Sequence, residues 1–277
     1  LAAWNTQAAI FFLILALSMK DPITASLFAL RQHRAKGLAM LLDPDKVELA
    51  DVPDIVALAE TGEVDYFFVG GSLVTHDGIH RLVPALKAHT SLPVVIFPGS
   101  GYQIVPEADG ILFLSLISGR NPELLIGQHV IAAPLLRQTQ LEVMATGYML
   151  IDSGKPTTVH YISNSLPIPY NKPDIAVCTA LAGQYLGLRL MYMDGGSGAD
   201  RPVSCEMVKA VSQQVEVPLI VGGGIREVGQ ALALWEAGAD LLVIGNALER
   251  DPEGKLLREL AAARPPRPKK SYIYSKE

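Results

Sequence analysis

Cysteine is nearly absent from this chain, and what there is forms no pattern. Cys178 and Cys205 are the only two, which excludes a disulfide framework and a cysteine-based metal cage. A reducing, cytoplasmic setting is therefore expected. Histidine is scarce as well. His76, His80 and His89 fall around the second expected helix as ordinary polar positions, and His160 has no partner at metal or triad spacing. Basic charge is short too: 23 Lys and Arg against 28 Asp and Glu give a net charge of -5, which offers a nucleic-acid backbone no attraction. The motifs GxxxxGK[ST], an early GxGxxG and GxSxG are all missing, and no lysine closes an apolar run. P-loop, dinucleotide-binding, serine-hydrolase and Schiff-base chemistries are set aside on that ground.

The apolar stretch AAIFFLILAL, from Ala8 to Leu17, is too short to span a bilayer as a helix. It also lacks the preceding basic residue of a signal peptide. Residues 1–18 read as an upstream extension ahead of Met19, or alternatively as a short apolar helix packed on a domain end or a partner. Residues 265–277 read as a tail with basic residues at Arg267 to Lys270, leaving 19–264 as a single domain.

What the chain has in quantity is apolar side chains, 49% of the total, and they recur in a phrase. A short apolar run, a loop with glycine or acid, and an amphipathic stretch follow one another from Gly37. The runs are 38–43, 66–71, 92–99, 110–117, 143–152, 188–194, 217–224 and 239–245. Continuous apolar runs of this length suit strands buried on both faces, as in a parallel sheet covered by helices. Eight strand–helix units predict a closed (β/α)₈ TIM barrel rather than an open doubly wound sheet. One departure is expected around the loop following strand five, where a Ser-, Thr-, Asn- and Pro-rich insertion precedes a helix that Pro173 leads into. Loops at that end of a barrel carry the chemistry.

Three of the expected strand ends carry glycine: Gly195-Gly196-Ser197-Gly198, Gly223-Gly224 within a triplet, and Gly245-Asn246. Phosphate oxygens need converging backbone N–H groups, and glycine lets the chain approach them. The loops after strands seven and eight are where many barrels hold a phosphate. Asp194, with Tyr192 two residues before it, stands ready to orient or deprotonate a substrate hydroxyl. Asp43-Pro44-Asp45-Lys46 closes the first strand, and Ser72 follows the second. A carboxylate and a hydroxyl there suit Mg²⁺, and spacing alone leaves open whether Asp43 or Asp45 meets it.

Taken together, LLDPDK, FVGGS, YMLIDSGKPTTVHYISNSLPIP, TALAGQYLGLRLMYMDGGSGADRPV, PLIVGGGI and ADLLVIGN resemble geranylgeranylglyceryl phosphate synthases. The likeness runs from about Ala39 to Glu249 and is greatest to the longer, archaeal-type subgroup, which has bacterial members. It implies a Mg²⁺-dependent prenyltransferase that joins an allylic prenyl diphosphate to the 3-hydroxyl of sn-glycerol 1-phosphate and releases diphosphate. Asp43 and Ser72 then resemble metal-binding positions. Tyr192, Met193, Asp194, Gly195, Gly196, Ser197, Gly198, Gly223, Gly224, Gly245 and Asn246 resemble the glycerol-phosphate site. The resemblance further implies a homo-oligomer working near a membrane that takes up its product. Two departures stand out: Asp194 lies where many relatives are expected to carry Glu, and Leu41 lies where short bacterial relatives have a lysine. Two other readings stay open, namely a barrel isomerase or synthase of small phosphorylated metabolites and a non-catalytic phosphate-binding protein.

Overall fold

The structure is a computed structural model and describes residues 21–245, 251 and 253–265. The expectations for residues 1–18, for Asn246 and for most of the tail lie outside the described residues. Eight parallel strands close into one barrel in sequence order. They are β1 (Gly37–Leu42), β2 (Tyr66–Gly70), β3 (Val94–Phe97), β4 (Gly110–Leu116), β5 (Glu142–Leu150), β6 (Leu190–Asp194), β7 (Leu219–Gly222) and β8 (Leu241–Ile244). Each falls on one of the eight apolar runs. A helix, α1 (Pro22–Gln32), precedes them.

Strand alternation divides the core in two. Ala39, Tyr66, Phe68, Met144, Tyr148, Leu190 and Tyr192 face the barrel interior, where Ile23, Leu27 and Leu30 of α1 join them. The intervening Leu38, Met40, Phe67, Val69, Met191 and Met193 face the outer helices. Glu142, at the start of β5, accepts the Ile23 and Thr24 amides of α1 at 2.7 and 2.6 Å, tying that helix to the barrel floor.

The outer ring comprises α2 (Val52–Thr61), α3 (Ile79–His89), a π turn (Glu123–Gly127) running into α4 (Gln128–Leu136), α5 (Thr158–Ser163), α6 (Pro173–Tyr185), α7 (Cys205–Ser212), α8 (Val228–Ala237) and α9 (Lys255–Ala263). Pro173 is the first residue of α6, and Gly238 ends α8 at φ 117°; both suit their places, since proline fits a first helical turn and glycine a left-handed exit.

Among the described residues the barrel departs from eight equal units in two places. After β5 the expected insertion is present: Ile151 bridges to Ile168, and α5 lies within the excursion. A second departure corrects the sequence reading. No helix links β3 to β4; residues 98–109 cross as an irregular strap. Pro98 and Pro106, with Gly99 and Gly101 between, leave no uninterrupted stretch for a helix in so short a connection. The outward face of β4 is therefore left without its helix.

Candidate active site

The inward alternation along β6 runs Leu190, Tyr192, Asp194, so the carboxylate is the last inward residue and stands at the barrel mouth. β5 pairs with β6 so that Tyr148 lies opposite Tyr192. From there the Tyr148 hydroxyl donates to Asp194 Oδ2 at 2.5 Å, while the Gly196 amide donates to Oδ1 at 2.8 Å. Asp194 is 7% exposed. Its burial pushes the carboxyl pKa up, against the opposing pull of the Tyr148 and Gly196 hydrogen bonds. Burial, then the nearby Asp194 charge, pushes both tyrosines well above the usual phenol value, so each stays a hydrogen-bond donor. Phe97 stacks on Tyr192 with ring centroids 5.3 Å apart, and Tyr148 lies 5.5 Å from Tyr192. Three aromatic rings thus wall one side of the mouth.

Asp194 opens into a cavity of about 480 Å³. Gly196, Ser197 and Gly198 line it from the β6 loop, Gly223 and Gly224 from the β7 loop, and Gly245 from the end of β8. At Gly223, with φ 82°, a Cβ would sit 2.7 Å from Asp194 Oδ1 and 2.7 and 2.8 Å from the Gly196 and Gly195 nitrogens. Only glycine leaves room for those groups to converge there. The Gly195 and Gly196 amides are engaged within the protein, to the Gly222 carbonyl and Asp194. Met193 is a correction: alternation turns its side chain out of the barrel into the helix-facing core, away from the cavity.

Asp43 faces the cavity from the opposite rim, with Ser72 and Gly71 beside it. Its Oδ1 accepts the Asp45 amide at 3.1 Å and its Oδ2 pairs with Lys46 at 3.3 Å. Asp45 turns elsewhere. It accepts from the Thr75 amide and hydroxyl at 2.6 and 2.8 Å and from the His76 amide at 3.3 Å. The Thr75 amide bond, first among these, holds its carboxyl below the usual range. Asp45 therefore fastens the loop after β2, and Asp43 is the carboxylate presented to the cavity.

The described residues contain no cluster of three or more His, Cys, Asp or Glu placed to hold a metal. One carboxylate and one hydroxyl are hard oxygen donors of the kind Mg²⁺ takes, and so few protein ligands would suit a cation that keeps water and meets substrate phosphate rather than one caged by protein. His160 is a helix cap: its Nδ1 meets the Thr157 amide at 3.1 Å and hydroxyl at 2.7 Å. Burial lowers its pKa against the pull of Asp152 and Asp194.

Sequence reasoning did not single out Tyr148, Phe97 or the cations of this cavity. Lys46, Lys155 and Arg226 all line it, with Lys155 held 2.8 Å from Asp200 and Arg226 donating to the Ala199 and Asp200 carbonyls. Nor did the sequence locate the apolar groove that adjoins the cavity and shares Gly71, Ser72 and Phe97 with it. The groove runs under the 98–109 strap, along Ile111 and Phe113 of β4, and against His129, Ala132 and Leu136 of α4. It exists because no helix follows β3. His129 meets Phe113 edge-on at 4.4 Å, and burial lowers its pKa, keeping the ring neutral.

A glycine-lined polar pocket with three cations on its walls, at the mouth of a closed (β/α)₈ barrel and continuous with an apolar groove, defines a phosphate-binding barrel enzyme for amphiphilic ligands. The chain belongs to the PcrB family, whose model matches residues 30–264. It is 51% identical over 234 residues to a geranylgeranylglyceryl phosphate synthase of Chitinophaga pinensis, covering 83% of this chain and 92% of that one. It is 53% identical over 226 residues to the protein of the same description from Spirosoma linguale, covering 82% and 90%. The fold superposes on (S)-3-O-geranylgeranylglyceryl phosphate synthase from Thermoplasma acidophilum, solved in complex with sn-glycerol-1-phosphate. That match has a TM-score of 0.82 and 34% identity and covers 87% of this chain and 97% of that one.

Proposed function

We propose that this protein transfers the prenyl group of an allylic prenyl diphosphate to the 3-hydroxyl of sn-glycerol 1-phosphate. The observation that carries this reading is the junction itself. A polar cavity with a buried carboxylate and an apolar groove meet at Gly71, Ser72 and Phe97, as the two halves of such a reaction require. Family membership and the glycerol-phosphate complex of the Thermoplasma relative support the same acceptor. A barrel acting on small phosphorylated metabolites has no use for the groove.

In this reading the acceptor phosphate lies against Ser197, Gly198, Gly223 and Gly224, which places the glycerol hydroxyls toward Asp194 and Tyr192. The prenyl chain occupies the groove and leaves its diphosphate at the rim, beside Asp43, Ser72 and Lys46. Asp43 and Ser72 would hold Mg²⁺ at that rim, and its charge would offset that of the leaving diphosphate. The bond between the allylic carbon and the diphosphate oxygen breaks with its electron pair going to diphosphate. The glycerol oxygen forms the new C–O bond, and its proton passes to Asp194. A carboxyl whose pKa is raised by burial is a stronger base for that proton, and Tyr148 fixes its orientation. Holding both partners at one junction removes the entropy of bringing them together.

The test is to incubate the purified chain with Mg²⁺, sn-glycerol 1-phosphate and prenyl diphosphates of increasing length, then weigh the products. An ether-linked prenylglyceryl phosphate is expected, with sn-glycerol 3-phosphate a poor acceptor. Equal use of both enantiomers, or no ether product at any chain length, overturns the proposal.

A further inference from the structure

Three cations line the cavity, and they differ in what balances them. Lys46 pairs with Asp43 at 3.3 Å and Lys155 with Asp200 at 2.8 Å. Asp194, the remaining acid on the cavity wall, takes its hydrogen bonds from Tyr148 and Gly196. Arg226 is the exception. Among the described residues it forms no ion pair, and its terminal nitrogens donate to neutral carbonyls, Nη1 to Asp200 at 3.0 Å and Nη2 to Ala199. Its own amide donates to Gln230 Oε1 at 2.8 Å, which fixes the root of the side chain just ahead of α8. The guanidinium is thus held across the loops after β6 and β7 by contacts that aim it without offsetting its charge.

The backbone around it is partly committed. Glycine loops hold phosphate through backbone N–H groups, often with a helix N-terminus. Here the Gly195 amide donates to the Gly222 carbonyl, the Gly196 amide to Asp194 and the Ala199 amide to the Gly196 carbonyl. Ahead of α8 the Arg226 and Glu227 amides both donate to Gln230 Oε1. The two loops interlock beside these groups, since a Cβ on Gly224 would sit 2.5 Å from the Arg201 carbonyl oxygen. A phosphate monoester carries a charge of roughly −1.5 to −2 near neutral pH. Amides that remain for it are neutral dipoles and leave that charge unbalanced. Arg226 supplies a cation on the same wall, among Ser197, Gly198, Ala199 and Gly224.

We propose that Arg226 makes the acceptor site selective for the dianion of a phosphate monoester over singly charged tetrahedral groups such as a sulfate ester. The inference rests on the acceptor reading of this cavity and adds the residue that sets its charge preference. A guanidinium has five N–H donors in a rigid fork. Two nitrogens reach the Ala199 and Asp200 carbonyls, and the donors left over suit phosphate oxygens, to which arginine makes short, charge-assisted bonds. Lys155 and Lys46 each lie against a carboxylate, so neither distinguishes one negative charge from two as strongly.

The test compares sn-glycerol 1-phosphate with sn-glycerol 1-sulfate, which keeps the tetrahedral shape with one charge fewer. Affinities are measured by calorimetry on the full chain at a pH of about 8, above the second phosphate pKa near 6. Wild type should bind the phosphate at least about tenfold more tightly, the scale of one charge-assisted hydrogen bond. Arg226→Met should bring the two affinities together, while Arg226→Lys, which restores the charge, should keep most of the preference. Arg226→Gln is a second neutral variant that can still donate to the Ala199 carbonyl, and thermal melts show that each variant folds. An arginine that only ties down the loop after β6 would weaken both ligands by the same factor and leave their ratio as in wild type. A ratio preserved in a folded neutral variant, or equal binding of both ligands by wild type, overturns the proposal. Wild type that binds neither ligand overturns the acceptor reading together with it. Absence of ether product with the ratio behaving as expected overturns the catalytic reading alone.

Discussion

Replacing Asp194 by asparagine separates what the carboxylate does for catalysis from what it does to stability. The side chain is buried, with one oxygen facing the Gly196 amide and the other the Tyr148 hydroxyl. Asparagine keeps both contacts: its Oδ1 accepts from Gly196, and its amide donates to the tyrosine oxygen, which can accept as well as donate. The charge disappears, and with it the burial cost that raises the carboxyl pKa. An acid with a raised folded pKa contributes stability that is fully present below its unfolded pKa and is lost as pH rises through the folded pKa. At neutral pH wild type has lost that contribution and Asn has not. The Tm of Asp194→Asn should therefore equal or exceed that of wild type at pH 7, by about 2–4 °C per kcal/mol recovered. The gap should close as pH falls below the ordinary aspartate range. Turnover should drop by roughly 10²-fold or more, the usual scale for a lost general base, with acceptor binding retained. The assays are thermal melts across pH and product mass at saturating substrates. A lowered Tm at neutral pH would refute the burial argument. Undiminished turnover in a folded variant would remove Asp194 from the mechanism.

Tyr148→Phe deletes a hydrogen bond to a charged group, worth about 1.5–3 kcal/mol, and should cost at least about tenfold in kcat/KM. Because that bond lowers the Asp194 pKa, the acidic limb of the pH–rate profile should move to higher pH; an unmoved limb breaks the link between the two residues. Gly223→Ala places a methyl against Asp194 and two backbone nitrogens, so calorimetry should show glycerol-phosphate binding lost and prenyl-diphosphate binding kept. Equal loss of both would point to misfolding instead. Asp43→Asn should greatly weaken turnover and raise the Mg²⁺ concentration needed for half-maximal rate, whereas wild-type metal dependence would place the cation elsewhere. Ala132→Phe fills the groove beside Phe113 and His129 and should shift donor preference toward shorter chains, a change read from product masses in a mixed-donor assay.

The strands were legible in the sequence because each is buried on both faces and so reads as an unbroken apolar run. Asp194 was legible because it ends such a run directly before a glycine loop. Tyr148 was not, since it lies inside the run of β5, and its role depends on strand register, which brings it opposite Tyr192. Alternation within β6 does carry the signal that separates Met193 from its neighbours: inward Tyr192 and Asp194 require an outward Met193. The missing helix after β3 was masked by the regularity of the repeat around it, although the prolines and glycines of residues 98–109 mark the place. The cations escaped notice because Lys155 and Arg226 reach the cavity from different loops, and no local spacing links them.

The groove and the carboxylate are parts of one arrangement. An allylic cation is captured by whatever nucleophile reaches it first, and water is the abundant competitor. Below Asp194 the barrel interior is closed by Tyr192, Leu190, Ile220 and Leu241, all buried. Beside it the Phe97, Tyr192 and Tyr148 rings stand between the interior and the groove entrance. The allylic carbon of a chain lying in the groove would emerge at Phe97 and Ser72, where apolar lining gives way to the glycine loops. There, on the proposed reading, the acceptor hydroxyl would be the nucleophile held in place, and the aromatic wall would exclude its rival. Losing the helix after β3 thus does more than make room for a long tail. On the proposed reading it would bring the reactive end of that tail to the rim at Phe97 and Ser72, where the groove meets the cavity that Asp194 lines. Phe97→Ala should therefore raise the ratio of free prenyl alcohol to ether product more than it lowers total diphosphate release. A variant that slows both products equally would show that Phe97 only packs.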